Sequence, residues 1–100
     1  MNKFGDLIRT KREKQDMLLR HLSAELDIDT AQMSKIERGE RTAKREHVNQ
    51  LIRIFKLNES TASAFWLADQ VYALVANEKE ALKALIVAEE ELKYQKKLSN

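Results

Sequence analysis

Three polar side chains, one alanine and one lysine lie close together in the first half of this chain. They are Thr30, Gln32 and Ser34, with Ala31 and Lys35. Glutamine can form two hydrogen bonds with adenine, lysine can reach the acceptors of guanine, and a small apolar group can contact the methyl group of thymine. The alternative is the solvated polar face of a helix that only packs. These residue types therefore suit the reading of base edges in duplex DNA.

A cluster of positive charge follows this segment along the chain. Its members are Arg38, Arg41, Lys44 and Arg45. Such side chains bind phosphate, which fixes the affinity and register of a protein on DNA without reading its sequence. We expect Arg41 and Lys44 in particular to contact phosphate, and an ordinary solvated charge run is the alternative. The start of the first helix, at Asn2, offers backbone N–H groups to a further phosphate.

The sequence offers little for catalysis or for metal binding. It has no cysteine, and its two histidines, His21 and His47, are far apart and lack a carboxylate cluster at ligand spacing. It contains no glycine-rich phosphate loop and no convincing nucleophile–base pair. We therefore predict that the protein is not an enzyme and binds no cofactor or metal.

The composition predicts an all-helical fold. Hydrophobic residues make up 43% of the 100 residues, there is no proline, and there are only two glycines. Sheets need turns, which lean on glycine and proline, so a chain this poor in both is typical of helices. Residues 1–57 carry a formal charge of +4 and residues 58–100 one of −2, which favours a basic front half that meets a polyanion. No apolar stretch approaches the roughly 20 residues that span a membrane.

Apolar periodicity and capping residues place three helices in the front of the chain. The first is capped by Asn2 and ends near residues 15–16, and Asp16 caps a short second helix. A third begins after Asp29, which accepts backbone N–H groups while Gln32 reaches back. It stops at Gly39, because glycine tolerates the left-handed conformation that ends helices.

Three more helices are predicted behind it. The fourth covers residues 44–55, and Asn58 caps a fifth that runs to Asn77. The apolar residues of the fifth go most of the way round, which predicts burial on two sides. Asn77 caps a sixth helix, whose end, residues 93–100, is expected to fray.

The segment 17–39 has the pattern of a helix-turn-helix, with two short helices, a tight turn and a glycine after the second helix. Its runs Leu-Ser-Ala-Glu-Leu-Asp-Ile-Asp (22–29) and Met-Ser-Lys-Ile-Glu-Arg-Gly (33–39), with Arg41 after them, resemble the Cro-repressor-like, or Xre, family of bacterial and phage transcriptional regulators. The resemblance covers about residues 4–57. It implies a five- to six-helix all-α domain with a DNA-binding core at 1–57, followed by C-terminal helices at 58–100 that pack on it and serve dimerisation.

The resemblance also implies a structural ion pair between Arg12 and Glu37. Two positions depart from the family pattern. Leu18 and Leu19 stand where Ser and Gln commonly open the second helix, so Arg20, next along, becomes a phosphate candidate. Asp27 stands where the turn usually holds glycine, and aspartate tolerates the left-handed region better than most residues.

The rear helices carry more apolar surface than a monomer of this size needs, which favours a homodimer. The expected interface consists of Phe65, Trp66, Leu82, Leu85, Ile86 and Leu92. The alternative for the leucines and the isoleucine is that they only cover the fourth helix. For the two aromatic residues, packing in the core of the chain is an equal alternative.

These observations favour a sequence-specific regulator, a repressor before an activator, that binds double-stranded DNA as a homodimer in the cytoplasm of a bacterium or a phage-infected cell. A two-fold dimer on an inverted repeat doubles the base contacts of one module, at half-sites about 34 Å apart. An antitoxin or a restriction–modification controller protein would share the core and use residues 58–100 to bind a partner protein.

Overall fold

The computed structural model describes residues 1–99, which form six α-helices and no β-strand. The helices are α1 (Lys3–Lys14), α2 (Leu19–Glu25), α3 (Thr30–Glu37), α4 (Arg45–Phe55), α5 (Glu59–Val75) and α6 (Ala81–Ser99). The prediction of an all-α fold with five to six helices is confirmed. Within the same residues, no helix has the length and apolar character needed to cross a membrane.

One hydrophobic core joins α1 to α5. Its buried members are Phe4, Ile8, Leu22, Leu26, Met33, Ile36, Ala43, Val48, Leu51, Phe55 and Ala62. The largest fully buried side chains come from four different helices, α1 to α4. Burial of each such side chain stabilises the fold by about 1.5–3 kcal/mol. The core therefore holds α3 from behind, against α1 and α2.

The turn between α2 and α3 uses aspartates in two different ways. Asp27 adopts a left-handed conformation, with φ of 56°, as its position in the motif predicts. The side chain of Asp29 accepts a hydrogen bond of 2.6 Å from the backbone N–H of Gln32 and so caps α3. The reciprocal bond from the Gln32 side chain is not formed within residues 1–99. After α3, Gly39 takes φ of +75°, which confirms its role as the helix stop.

The predicted caps of the first two helices are wrong. Asn2 precedes α1, but its side chain makes no capping bond. The cap comes from α5, because the two carboxylate oxygens of Asp69 accept from the N–H groups of Lys3 (2.8 Å) and Phe4 (2.9 Å). Asp16 lies in a left-handed turn with φ of 52°, and α2 starts three residues later without a side-chain cap.

Asn2 instead joins α1 to the end of α3. Its amide nitrogen donates to the carbonyl oxygen of Glu37 at 2.8 Å. The contact is possible because both glycines of the chain lie against it. A Cβ atom on Gly5 would come within 2.5 Å of that carbonyl oxygen, and one on Gly39 within 2.8 Å of the Asn2 side chain. The missing side chain at Gly5 thus sets how closely α1 approaches α3.

The substitution Gly5→Ala is expected to lower the free energy of unfolding by about 1–3 kcal/mol, the usual cost of overpacking. In an exposed helix interior the same change stabilises by about 1 kcal/mol, so the predicted sign is opposite to helix propensity. Thermal unfolding checks it, with Thr10→Ala, an exposed position on α1, as the control. A higher melting temperature for Gly5→Ala would contradict the close approach.

The fifth helix behaves differently from its prediction. Asn58 caps it as expected, since its side-chain oxygen accepts from the N–H of Thr61 at 2.9 Å. It packs on α1 and α4, but Ala62 is its only fully buried residue. The predicted burial on two sides is wrong for the single chain, because Leu67 and Leu74 on its outer side are 50% and 79% exposed.

The sixth helix starts at Ala81, not at Asn77, and every one of residues 82–99 is exposed. It makes no substantial contact with α1 to α5, so the expectation that both rear helices pack on the core holds for α5 and fails for α6. The alternative that its apolar residues cover the fourth helix fails for the same reason. The helix continues through Ser99, where fraying was predicted, and Asn100 lies outside the described residues.

Candidate nucleic-acid interface

The surface of α3 is divided between a buried and an exposed side. Met33, Ile36 and Glu37 are buried. Helical periodicity places Ala31 and Lys35 on the opposite side, and both are exposed. The core thus fixes which side of this helix faces outward, and a lysine stands at the centre of that side.

The other residues predicted to read bases lie at the edges of this outward side. Thr30 is exposed, but its hydroxyl is hydrogen-bonded to the hydroxyl of Ser23 at 3.2 Å, which leaves its methyl group for a contact. Gln32 and Ser34 are half-buried. The Ser34 hydroxyl accepts a hydrogen bond from Arg38. The structure therefore brings all five predicted residues together, with Ala31 and Lys35 the most accessible.

An ion pair behind α3 fixes the end of this helix. The guanidinium of Arg12 donates to both carboxylate oxygens of Glu37, at 2.7 and 3.0 Å, and to the carbonyl oxygen of Met17 at 3.0 Å. The Glu37 side chain is 5% exposed and that of Arg12 is 15% exposed. The hydrogen bond to Glu37 raises the pKa of Arg12, although burial acts in the opposite direction. The residues that the resemblance pairs are in contact.

Some of the basic residues that follow α3 already form hydrogen bonds, ion pairs or cation–π contacts within the chain, and others do not. Arg38 pairs with Glu40 and with Ser34. Arg45 donates to the hydroxyl of Ser63 at 3.0 Å. Its guanidinium carbon lies 5.0 Å from the centre of the Trp66 ring, which is a cation–π contact.

Three of the five residues predicted to contact phosphate remain uncommitted. Arg41, Lys44 and Arg20 are exposed, and none forms a side-chain hydrogen bond or ion pair among residues 1–99. Arg41 and Lys44 lie on the loop between α3 and α4, and Arg20 is in the first turn of α2. Within the predicted set, these three are the cations whose charge is not used inside the chain.

The helix N-termini also differ in whether their backbone N–H groups already have a partner within the chain. The first N–H groups of α1 are bonded to Asp69, so the predicted phosphate contact at Asn2 is wrong. The N-terminus of α3 is occupied by the Asp29 carboxylate. The N-terminus of α4 follows Lys44 and has no side-chain cap. Because uncapped N–H groups favour anions, the first turn of α4 can accept an anion next to Lys44.

Sequence reasoning missed two residues of α5 that hold this surface in place. Asp69 caps α1, and the indole nitrogen of Trp66 donates to the carbonyl oxygen of Ala43 at 2.9 Å. The indole nitrogen is thus used within the chain, and both Phe65 and Trp66 pack against the core. The sequence does mark Asp69, because it is a single carboxylate among the apolar residues of α5. Helical periodicity cannot predict that its hydrogen-bond partners are the first N–H groups of α1.

The other features of residues 1–99 that could form a site are a cavity and two histidines. A cavity of about 110 Å³ lies between the start of α1, the end of α3 and α5, lined among others by Arg41, Trp66 and Asp69. His47 is buried and its Nδ1 atom has no partner, whereas His21 is exposed. Residues 1–99 contain no group of three acidic, histidine or cysteine side chains that could hold a metal ion.

The geometry defines an all-α chain in which one side of the short helix α3 is exposed, an ion pair holds the end of this helix from behind, and the loop after it carries two uncommitted cations. Comparison of the sequence with protein-family models, with curated proteins and with solved structures finds no match.

Proposed function

We propose that this protein is a DNA-binding transcriptional regulator of the Xre type, in which α3 reads base edges in the major groove. The observation that supports it most is the outward side of α3, where Lys35 is exposed, followed along the chain by a loop that carries the uncommitted Arg41 and Lys44. The protein is then a repressor in the cytoplasm of a bacterial or phage-infected cell, and it acts by binding and not by catalysis.

The dimensions of α3 suit this role. An α-helix with its side chains is about 10–12 Å in diameter, and the major groove of B-DNA is about 12 Å wide, so the eight-residue α3 can enter it. The residues at its outward side are small or flexible, so the helix can approach the base edges closely. The rigid support behind it, from the core and from Glu37, would hold those side chains in a fixed register.

We propose further that the protein acts as a homodimer through α6. Of the 13 large hydrophobic residues that are exposed, 11 lie after residue 66. Most of the stability of a helix in a protein comes from packing of its apolar side, and the 19-residue α6 makes no substantial contact with α1 to α5. The predicted interface residues Leu82, Leu85, Ile86 and Leu92 share one side of α6, and these four define the α6 stripe. The aromatic pair on α5 belongs to the core and not to this stripe.

The α6 stripe also carries charged residues. Glu89 lies within the stripe, and Lys93 and Lys96 follow it on the same side. Glu89 and Lys93 pair with each other inside the same helix, at 3.2 Å. The charge of these two residues is thus balanced within one chain, and the exposed apolar side chains of the stripe are what it offers to a second copy.

Selection of random duplex DNA on the purified chain at physiological salt tests the proposed function. We expect an inverted repeat with half-site centres about one helical turn, or 10 base pairs, apart. Recovery of a single half-site would support a monomeric reader. Binding without any enrichment, falling steeply with salt, would contradict sequence-specific recognition.

Two alanine variants separate base contact from phosphate contact. Lys35→Ala is expected to cost about 1–3 kcal/mol of binding free energy and to relax the preference at one base position. Arg41→Ala is expected to weaken binding on every sequence alike and to reduce the slope of log K against log salt by about one. Titrations at several salt concentrations measure both, with the exposed Arg53→Ala as the control. Equal effects of the two variants on all sequences would contradict the assignment of Lys35.

A second candidate function is that of an antitoxin or a restriction–modification controller protein. The outer side of α5 favours it, because Leu67, Val71 and Leu74 form a further exposed apolar line that the α6 pairing does not use. The mass of the isolated chain, measured by light scattering at micromolar concentration, distinguishes an antitoxin from the homodimeric regulator. A monomer would favour an antitoxin whose apolar surface binds a different protein. A dimer would favour the regulator or the controller protein.

A further inference from the structure

The loop between α3 and α4 is held at one point. This loop, residues 40–44, carries Arg41 and Lys44. Its ends are bonded to the helices, since Glu40 donates to Lys35 and Lys44 accepts from His47 and Val48. Between those ends, the one backbone hydrogen bond within residues 1–99 joins the carbonyl oxygen of Ala43 to the indole nitrogen of Trp66.

The environment of Ala43 makes this bond an anchor. Its side chain belongs to the core and is 4% exposed, while the neighbouring Arg41, Thr42 and Lys44 are all exposed. Without the bond, the middle of the loop, residues 41–43, would be fixed only by one buried methyl group. With it, the backbone is fixed immediately before Lys44 and two residues after Arg41, so both side chains leave the surface from defined positions.

The ring of Trp66 also engages Arg45. That guanidinium lies over the ring and donates to Ser63, so it is directed back onto α5. Trp66 therefore makes two contacts near the basic residues. Its indole nitrogen binds the loop at Ala43, and its ring binds the guanidinium of Arg45.

We propose that Trp66 is a positioning residue for phosphate binding, which sets the loop so that Arg41 and Lys44 meet the DNA backbone in register. The inference rests on the proposed DNA-binding function. It adds that α5, outside the helix-turn-helix, determines the register of the phosphate contacts. Arg45 serves that structure and is not itself a phosphate contact.

The substitution Trp66→Phe tests this, because it keeps an aromatic ring and removes the N–H donor. We expect binding of the selected operator to weaken about three- to tenfold, and the slope of log K against log salt to fall by about one, since a displaced cation neutralises one phosphate fewer. A merely structural loss of folded protein would not change that slope. Binding is measured well below the unfolding temperature of the variant.

The matched variant is Ser63→Ala, which releases Arg45 and leaves the bond to Ala43 intact. It should leave the salt slope unchanged. A fall equal to that of Trp66→Phe would overturn the proposal, because the effect would then come through Arg45. If the slope of log K against log salt is unchanged in Trp66→Phe while the unmodified protein binds the selected operator, the proposal is overturned and the proposed function remains in place. If the unmodified protein binds no DNA, both proposals fail together.

A measurement on the unmodified protein covers the case in which Trp66→Phe does not fold. Trp66 is the single tryptophan of the chain, so its indole N–H gives one resolved NMR signal. We expect slow hydrogen exchange of this proton in the free protein and slower exchange in the DNA complex. Exchange at the rate of an exposed indole in both states would overturn the proposal.

Discussion

The substitution Glu37→Ala is expected to lower the free energy of unfolding by about 3–5 kcal/mol and to weaken DNA binding at the same time. It removes the partner of Arg12, whose side chain is only 15% exposed, and leaves that guanidinium with the Met17 carbonyl alone. The loss is large because the remaining charge is stranded in a poorly solvated place. Thermal unfolding and operator titration on the same samples measure the two effects.

A double variant separates the charge from the packing. Arg12→Met combined with Glu37→Met removes both charges and keeps most of the apolar volume. We expect it to recover much of the stability, because replacing a buried ion pair by hydrophobic residues is often neutral or stabilising. If Glu37→Ala weakened DNA binding and left the melting temperature unchanged, Glu37 would act at the interface and the structural assignment would be wrong.

The second large effect is expected on assembly. Leu85→Asp combined with Leu92→Asp places two carboxylates in the α6 stripe and should convert the proposed dimer to a monomer. Operator affinity should then fall about 100-fold or more, because the second half-site is no longer bound by a tethered module. Light scattering gives the mass, and titration on the full operator and on a single half-site gives the affinities.

The control for this experiment uses the same helix. Val87→Asp introduces the same charge at a residue that is 59% exposed and lies on the side of α6 opposite the stripe. It should remain dimeric with full operator affinity. Dissociation by Val87→Asp alone, or a stable dimer in the double aspartate variant, would assign the dimer contact to another surface.

Features that depend on neighbours in sequence could be predicted from it. The all-α fold, the cap of α3 by Asp29, the left-handed Asp27 and the stop at Gly39 all follow from local backbone chemistry. The core follows from helical periodicity, and the polar composition of α3 from direct inspection. The Arg12–Glu37 contact came from the family resemblance and not from spacing, because 25 residues separate the two.

Tertiary structure decided how these helices combine into a surface. Asp69 caps α1 across more than 60 residues, Trp66 holds the loop at Ala43, and Asn2 binds the end of α3 instead of capping its own helix. The same tertiary contacts occupy the first N–H groups of α1 and direct Arg45 back onto α5. The physical reason is that a hydrogen bond between distant segments depends on the docking of whole helices. Spacing along the chain specifies each helix side, and packing of the core determines which side meets which.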